Sequence, residues 1–302
     1  MDYNFAQLYE QLSIEKSSKV SVGLDPNLER IPRFISEQYE TAGIDLSADI
    51  VLNFNKFIID LVADLVPVVK PQLAYYEKLG WRGYRVYEET VEYAKSKGLL
   101  VIADAKRGDI DSTATAYAEA FLSDRYGSVS AVTVNPYLGK DSVIPFFKQS
   151  RQTGKGIFLL VKTSNPGSQD IQDVVSLRGT LVRDVVRDWI VEETENVNGQ
   201  YSNIGAVVGA THPEEMSQLR ISLKKSLFLV PGIGAQGGDI KEIHRVFDKK
   251  GHGAVINSSR GILYPESVTI NSTKEEYAEA VIYETIKLNT QINEVLINNG
   301  KH

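Results

Sequence analysis

The sequence predicts one closed (β/α)8 TIM barrel, and three observations carry that prediction. Eight short runs rich in apolar and β-branched residues recur along the 302 residues, at 19–25, 65–73, 98–106, 129–136, 154–164, 203–211, 226–234 and 253–260. Most are nearly continuous in apolar residues rather than alternating, which marks strands buried on both faces and hence a parallel sheet. Between them lie longer segments of helical period, such as 49–65, 84–97, 112–125, 174–195 and 239–249. No second compositional regime interrupts this alternation, so residues 1–302 read as a single barrel domain.

The elements can be taken in order. A helix-like segment precedes the first strand, KVSVGLD, and the long connection 26–48 after it is an insertion of the size that barrels use for lids or peripheral decoration. The second run, LVPVVKPQL, carries Lys70 in its second half, and the third, GLLVIADAK, ends in Asp104 and Lys106. The fourth ends at Asn135, the fifth at Thr163 and Ser164, and the sixth runs out toward His212. Residues 165–173 open a second long connection, after the fifth strand. The seventh run enters the glycine-rich PGIGAQGGD, the eighth ends in NSSRG, and residues 274–298 form the closing helix.

Composition bounds the function classes. A chain that is 42% hydrophobic can bury a substantial core. The net charge of −6, with no basic block, disfavours nucleic acid and anionic membranes as partners. With no cysteine there can be no disulfide, zinc-thiolate site or cysteine nucleophile. The first residues are acidic and mixed rather than signal-like, and no uncharged apolar run approaches the ~18 residues of a membrane span. The expectation is a cytoplasmic protein.

In such barrels the loops after the strands build the active site. One polar strand end could be a helix cap, but charged residues at the ends of strands 1, 2 and 3 are harder to assign to capping. Asp104 and Lys106 are two apart on a strand and share a face, which leaves Ala105 to the helical layer. Asp109 follows past Gly108; Asp111 is the better candidate for N-cap of the next helix. Carboxylates gathered in one dry pocket repel unless cations separate them. Lys70 and Lys106 supply those cations, giving an alternating Lys–Asp–Lys–Asp set. A structural salt-bridge cluster is the rival explanation, weakly motivated because buried ion pairs are poor stabilisers. At the other side of the mouth, a glycine-rich loop at a helix start after strand 7 and Arg260 after strand 8 suit a phosphate monoester; alone, the glycines could be a tight turn.

DAKRGDI matches the D-x-K-x-x-D-I signature of the orotidine 5′-phosphate decarboxylase family. SVGLDPN, VVKPQLAYYE, TVNPYLG, VKTSNPGS, LVPGIGAQGGD and INSSRG resemble its other blocks, in chain order and from about Ser21 to Gly261. The chain looks most like the longer bacterial-type subfamily, with a lid-like insertion after strand 1. The resemblance implies conversion of orotidine 5′-phosphate to UMP and CO2 without a cofactor or metal. It implies Lys70, Asp104, Lys106 and Asp109 as the catalytic charged tetrad, with Lys106 stabilising and protonating the C6 carbanion. Asp25 would bind the ribose hydroxyls and Ser164 the pyrimidine edge. Gln236 and Arg260, with backbone N–H groups near Gly234 and Gly237, would hold the phosphate. The family's dimer would place Asp109 and Thr113 in the partner's site. The nearest alternative is a magnesium-dependent sugar-phosphate decarboxylase or aldolase on the same barrel, disfavoured by Lys70 where a further carboxylate would suit a metal. The four histidines, at 212, 244, 252 and 302, form no ligand set in sequence.

Overall fold

In the computed structural model, which describes residues 4–40, 47–177, 179–233 and 237–301, eight parallel strands close in sequence order into a barrel. They are β1 (Val20–Leu24), β2 (Val68–Pro71), β3 (Leu100–Arg107), β4 (Ala131–Val134), β5 (Gly156–Lys162), β6 (Ser202–Val208), β7 (Ser226–Val230) and β8 (Ala254–Ser258). β1 pairs with β8 through Ser21 opposite Asn257, which seals the ring and removes every sheet edge. The near-continuous apolar runs are explained by two cores that share each strand. Val68, Ile102, Ala131 and Val255 face the barrel interior, whereas Val22, Val69, Ala103 and Val132 pack outward against helices. The period-2 alternation of strands assigns the faces.

The first helix, Phe5–Glu15, closes the bottom of the barrel. Phe5 sits edge-on to Phe158, with ring centroids 5.9 Å apart. The Tyr9 hydroxyl donates to the Ala254 carbonyl at 2.6 Å. Asn4 caps this helix by accepting from Gln7 N–H, one of the orphan donors at any helix start. The closing helix spans Lys274–Asn298 and begins with a full capping box between Thr273 and Glu276.

Two expectations change. The segment 174–195 is not helical throughout: the helix is Val182–Thr194. Ahead of it, Val182 N–H is bonded to Val174 O, which brings the chain back on itself, and Gly179 lies in the left-handed region. β-branched residues and a glycine favour that turn over a helix. Residues Ile240–Val246 form a 3-10 helix rather than an α-helix, packed against helix Pro213–Ser222 and the closing helix. The insertion after β1 is a 3-10 turn, Leu28–Arg30, and a helix, Arg33–Glu40; its stretch 41–46 lies outside the described residues.

Candidate active site

The C-terminal ends of the strands open into one cavity of about 1940 Å3, lined by Asp25, Lys70, Asp104, Lys106, Ser164 and Arg260 among others. Inward-facing positions two residues beyond the interior apolar layer supply its floor: Lys70 after Val68, Asp104 after Ile102, Thr133 after Ala131 and Asn257 after Val255.

Asp104 is the hub. Its Oδ2 lies 2.8 Å from Lys70 Nζ and accepts from Gln72 Nε2 at 2.9 Å. Its Oδ1 lies 2.5 Å from Lys106 Nζ and accepts from the Thr133 hydroxyl at 3.2 Å. Burial alone would raise its pKa, but the two ammonium groups outweigh burial and hold the carboxyl far below the usual carboxylate range. Burial alone would likewise lower the pKa of Lys70, yet the charges of Asp104 and Asp25 raise it. Both groups are therefore ionised at neutral pH. The two lysines differ in access: the Lys70 side chain is 5% exposed and that of Lys106 44%. Lys106 is thus the cation presented to the cavity, and Lys70 the one that anchors the hub.

Lys106 does not continue the pleat. Its φ is +48°, in the left-handed region that non-glycine residues seldom occupy. The register against β4 advances four residues on β3, from Ala103 to Arg107, against two on β4, from Val132 to Val134. The Lys106 N–H has left the ladder and donates to the Thr133 hydroxyl at 2.9 Å. Asp104 and Lys106 meet, as the sequence suggested, but through a bulge rather than by simple alternation. Ala105 is buried in the outer core, as expected.

Asp25 faces the same cavity, and its Oδ1 is buried without a hydrogen-bond partner. The Oδ1 of Asn257 is in the same condition. Gly23 lies between them in the layer: a Cβ there would sit 1.9 Å from Ser259 Oγ, so only glycine lets the β8 end lean over β1. Arg260, exposed at the start of the short helix Arg260–Leu263, lines the cavity. Gly237 takes φ +85° in the loop after β7; Gly234 and Gln236 lie outside the described residues.

Ser164 lines the cavity after β5, and its carbonyl accepts from the Thr211 hydroxyl at 3.1 Å. Asp109 and Thr113 do not line the cavity. The Asp109 carboxylate accepts from Ile110 N–H at 2.8 Å, and Thr113 is exposed on helix Asp111–Leu122. Within one chain the charged set is therefore Lys70, Asp104 and Lys106. Asp111 is not the N-cap: Ile110 holds that position with extended backbone, and Asp111 is the first helical residue.

Gln72, Thr133 and Asn257 do not stand out in the sequence. The only signal for Thr133 and Asn257 was their two-residue offset from interior apolar positions; for Gln72 it was its two-residue offset from Lys70. Nor does Lys162 stand out, which is 1% exposed at the end of β5, or its partner Asp173. Among the described residues no group of three or more His, Cys, Asp or Glu side chains is placed to hold a metal ion.

The chain is similar to known proteins along most of its length. The family model described as orotidine 5′-phosphate decarboxylase / HUMPS matches residues 19–269. An orotidine 5′-phosphate decarboxylase of Rhodopirellula baltica is 41% identical over 300 residues, covering 95% of this chain and 98% of the relative. One from Petrotoga mobilis is 46% identical over 253 residues, covering 83% and 85%. The structure of Leishmania donovani OMP decarboxylase superposes with a TM-score of 0.74 at 30% identity, covering 97% and 99%.

Proposed function

The chain belongs to the orotidine 5′-phosphate decarboxylase / HUMPS family, and from that membership and the Lys70–Asp104–Lys106 cluster we propose that it converts orotidine 5′-phosphate to UMP and CO2, the decarboxylation of pyrimidine nucleotide synthesis. The observation that carries the reading is one buried carboxylate between two ammonium groups at the mouth of the barrel.

The reaction breaks the C6–carboxylate bond and leaves the electron pair on C6, with no adjacent carbonyl to absorb it by resonance. A fixed cation aimed at that carbon stabilises the anion without reorganising at the moment of reaction. Lys106 is the accessible cation, and its ammonium delivers the proton that completes UMP; the neutral amine then regains a proton from solvent. Asp104 orients that ammonium, while Lys70 balances the other face of Asp104. This chemistry asks for no cofactor.

Asp25 offers a buried acceptor without a partner, suited to a ribose hydroxyl. Ser164 meets the pyrimidine edge. Arg260, with Gln236 and the backbone around Gly234 and Gly237, holds the phosphate. Asp109 and Thr113 serve the second subunit of a homodimer. Their position outside the cavity supports this, as do the exposed Ile110, Tyr137 and Leu138 on the adjoining loops after β3 and β4, since apolar side chains beside a site suit a subunit contact. No helix among the described residues is long and apolar enough to cross a membrane.

Incubation of the purified protein with orotidine 5′-phosphate and EDTA, followed by pyrimidine absorbance, tests the proposal. Full turnover in EDTA is expected. No turnover without added divalent metal would favour the magnesium-dependent sugar-phosphate chemistry that is the alternative on the same barrel.

A further inference from the structure

We propose that Asp173 is a positioning residue for base recognition, because its carboxylate ties the loop that carries Ser164 to both the barrel and the following helix. The inference rests on the reading that Ser164 meets the pyrimidine. Lys162 Nζ lies 2.7 Å from Asp173 Oδ2, inside the protein at the end of β5. The other carboxylate oxygen pairs with Arg183, in the first turn of helix Val182–Thr194. A buried ammonium needs a counter-charge, so Asp173 is held where Lys162 holds it. The pairing with Lys162 and Arg183 also keeps the carboxyl ionised, overcoming a burial effect of opposite sign.

The consequence runs one residue back along the chain. Gln172 is fixed beside Asp173, and its Oε1 accepts from Thr163 N–H at 2.9 Å while its Nε2 donates to the Thr163 hydroxyl at 2.8 Å. His212 Nε2, in the connection after β6, lies 3.2 Å from the Thr163 carbonyl and fastens the same residue. Ser164 comes next, and it cannot retreat toward β6: it packs so closely on Gly209 that a Cβ there would be 2.7 Å from Ser164 Cα. The clasp therefore sets where Ser164 stands in the cavity. It carries no atom to the reacting carbon, so its influence is on base placement rather than on phosphate or ribose binding.

The test is to measure affinity for UMP and for ribose 5-phosphate, with kcat and KM for orotidine 5′-phosphate, in wild type and Asp173→Asn. UMP affinity is expected to fall about ten-fold or more, with ribose 5-phosphate affinity held within about two-fold, because only UMP has a base to misplace. Equal loss of both ligands, or loss of neither, overturns the proposal. If Asp173→Asn does not fold, the double variant Lys162→Met/Asp173→Leu removes the buried charge together with its partner and must give the same selective loss. Wild-type protein that binds UMP but does not decarboxylate orotidine 5′-phosphate would refute the proposed reaction and leave the ratio of affinities still to judge the clasp.

Discussion

Lys106 reaches back 2.5 Å from its ammonium to the Asp104 carboxylate two residues earlier, from a backbone held at φ +48°. That conformation costs a non-glycine residue about 1–2 kcal/mol. It is tolerated because the displaced N–H finds the Thr133 hydroxyl and because the ion pair forms inside the cavity. Strain of this kind collects where a side chain must be aimed, and the aimed side chain is the proposed proton donor.

Replacing Lys106 by alanine is expected to lower kcat by at least about a thousand-fold, the scale of losing both a preorganised cation and a proton donor. The fold should survive, since the side chain is half exposed. Substantial residual decarboxylation by a variant with a normal melting curve would sink the assignment.

The two partners of the buried pair should differ in cost. Asp104→Ala strands Lys70 in the interior with only Asp25 nearby and should destabilise by about 3 kcal/mol or more. Lys70→Ala leaves Asp104 still bonded to Lys106, Gln72 and Thr133 and should cost clearly less. Urea unfolding of both variants gives the comparison; the reverse order would contradict the role of Asp104 as hub.

The pH dependence follows from the direction of the shifts. Asp104 is depressed in the folded protein, so its contribution is present above its unfolded pKa of about 4 and is lost as pH falls below that. Lys70 is raised, so its contribution persists below about pH 10 and is lost above. The stability difference between wild type and Asp104→Asn should therefore stay constant from about pH 5 to 9 and shrink in more acid solution. A difference that starts to shrink near pH 7 would show that the carboxylate titrates where it should not.

Subunit mixing tests the divided site. Asp109→Ala and Lys106→Ala are each expected to be inactive, and co-refolded mixtures should recover up to about a quarter of wild-type activity, because random pairing makes half the molecules heterodimers with one intact site each. No recovery would place Asp109 in its own subunit's site or outside catalysis.

Gly23→Ala probes the phosphate side. The new methyl would meet Ser259 Oγ at 1.9 Å and Ser259 Cβ at 2.9 Å, next to Arg260. A cost of about 1–3 kcal/mol is expected from overpacking, with KM rising more than kcat falls. Unchanged KM in a folded variant would separate the tip of β8 from phosphate binding.

The sequence by itself determined the barrel, because eight short apolar, β-branched runs alternate regularly with segments of helical period, and it located Lys70, Asp104 and Lys106 by their charge at strand ends. Those signals are local: they depend on what lies one or two residues away. Tertiary structure alone decided the rest. The bulge at Lys106 exists because Thr133, on another strand, offers its N–H a partner. Asp109 falls outside its own cavity because the chain turns there. The tie from Lys162 through Asp173 to Arg183 joins residues up to 21 apart, and no periodicity records such a pairing. The 3-10 form of Ile240–Val246 likewise accompanies packing against two other helices. A side chain's type is written in the chain, but its partner is chosen by the closure of the barrel.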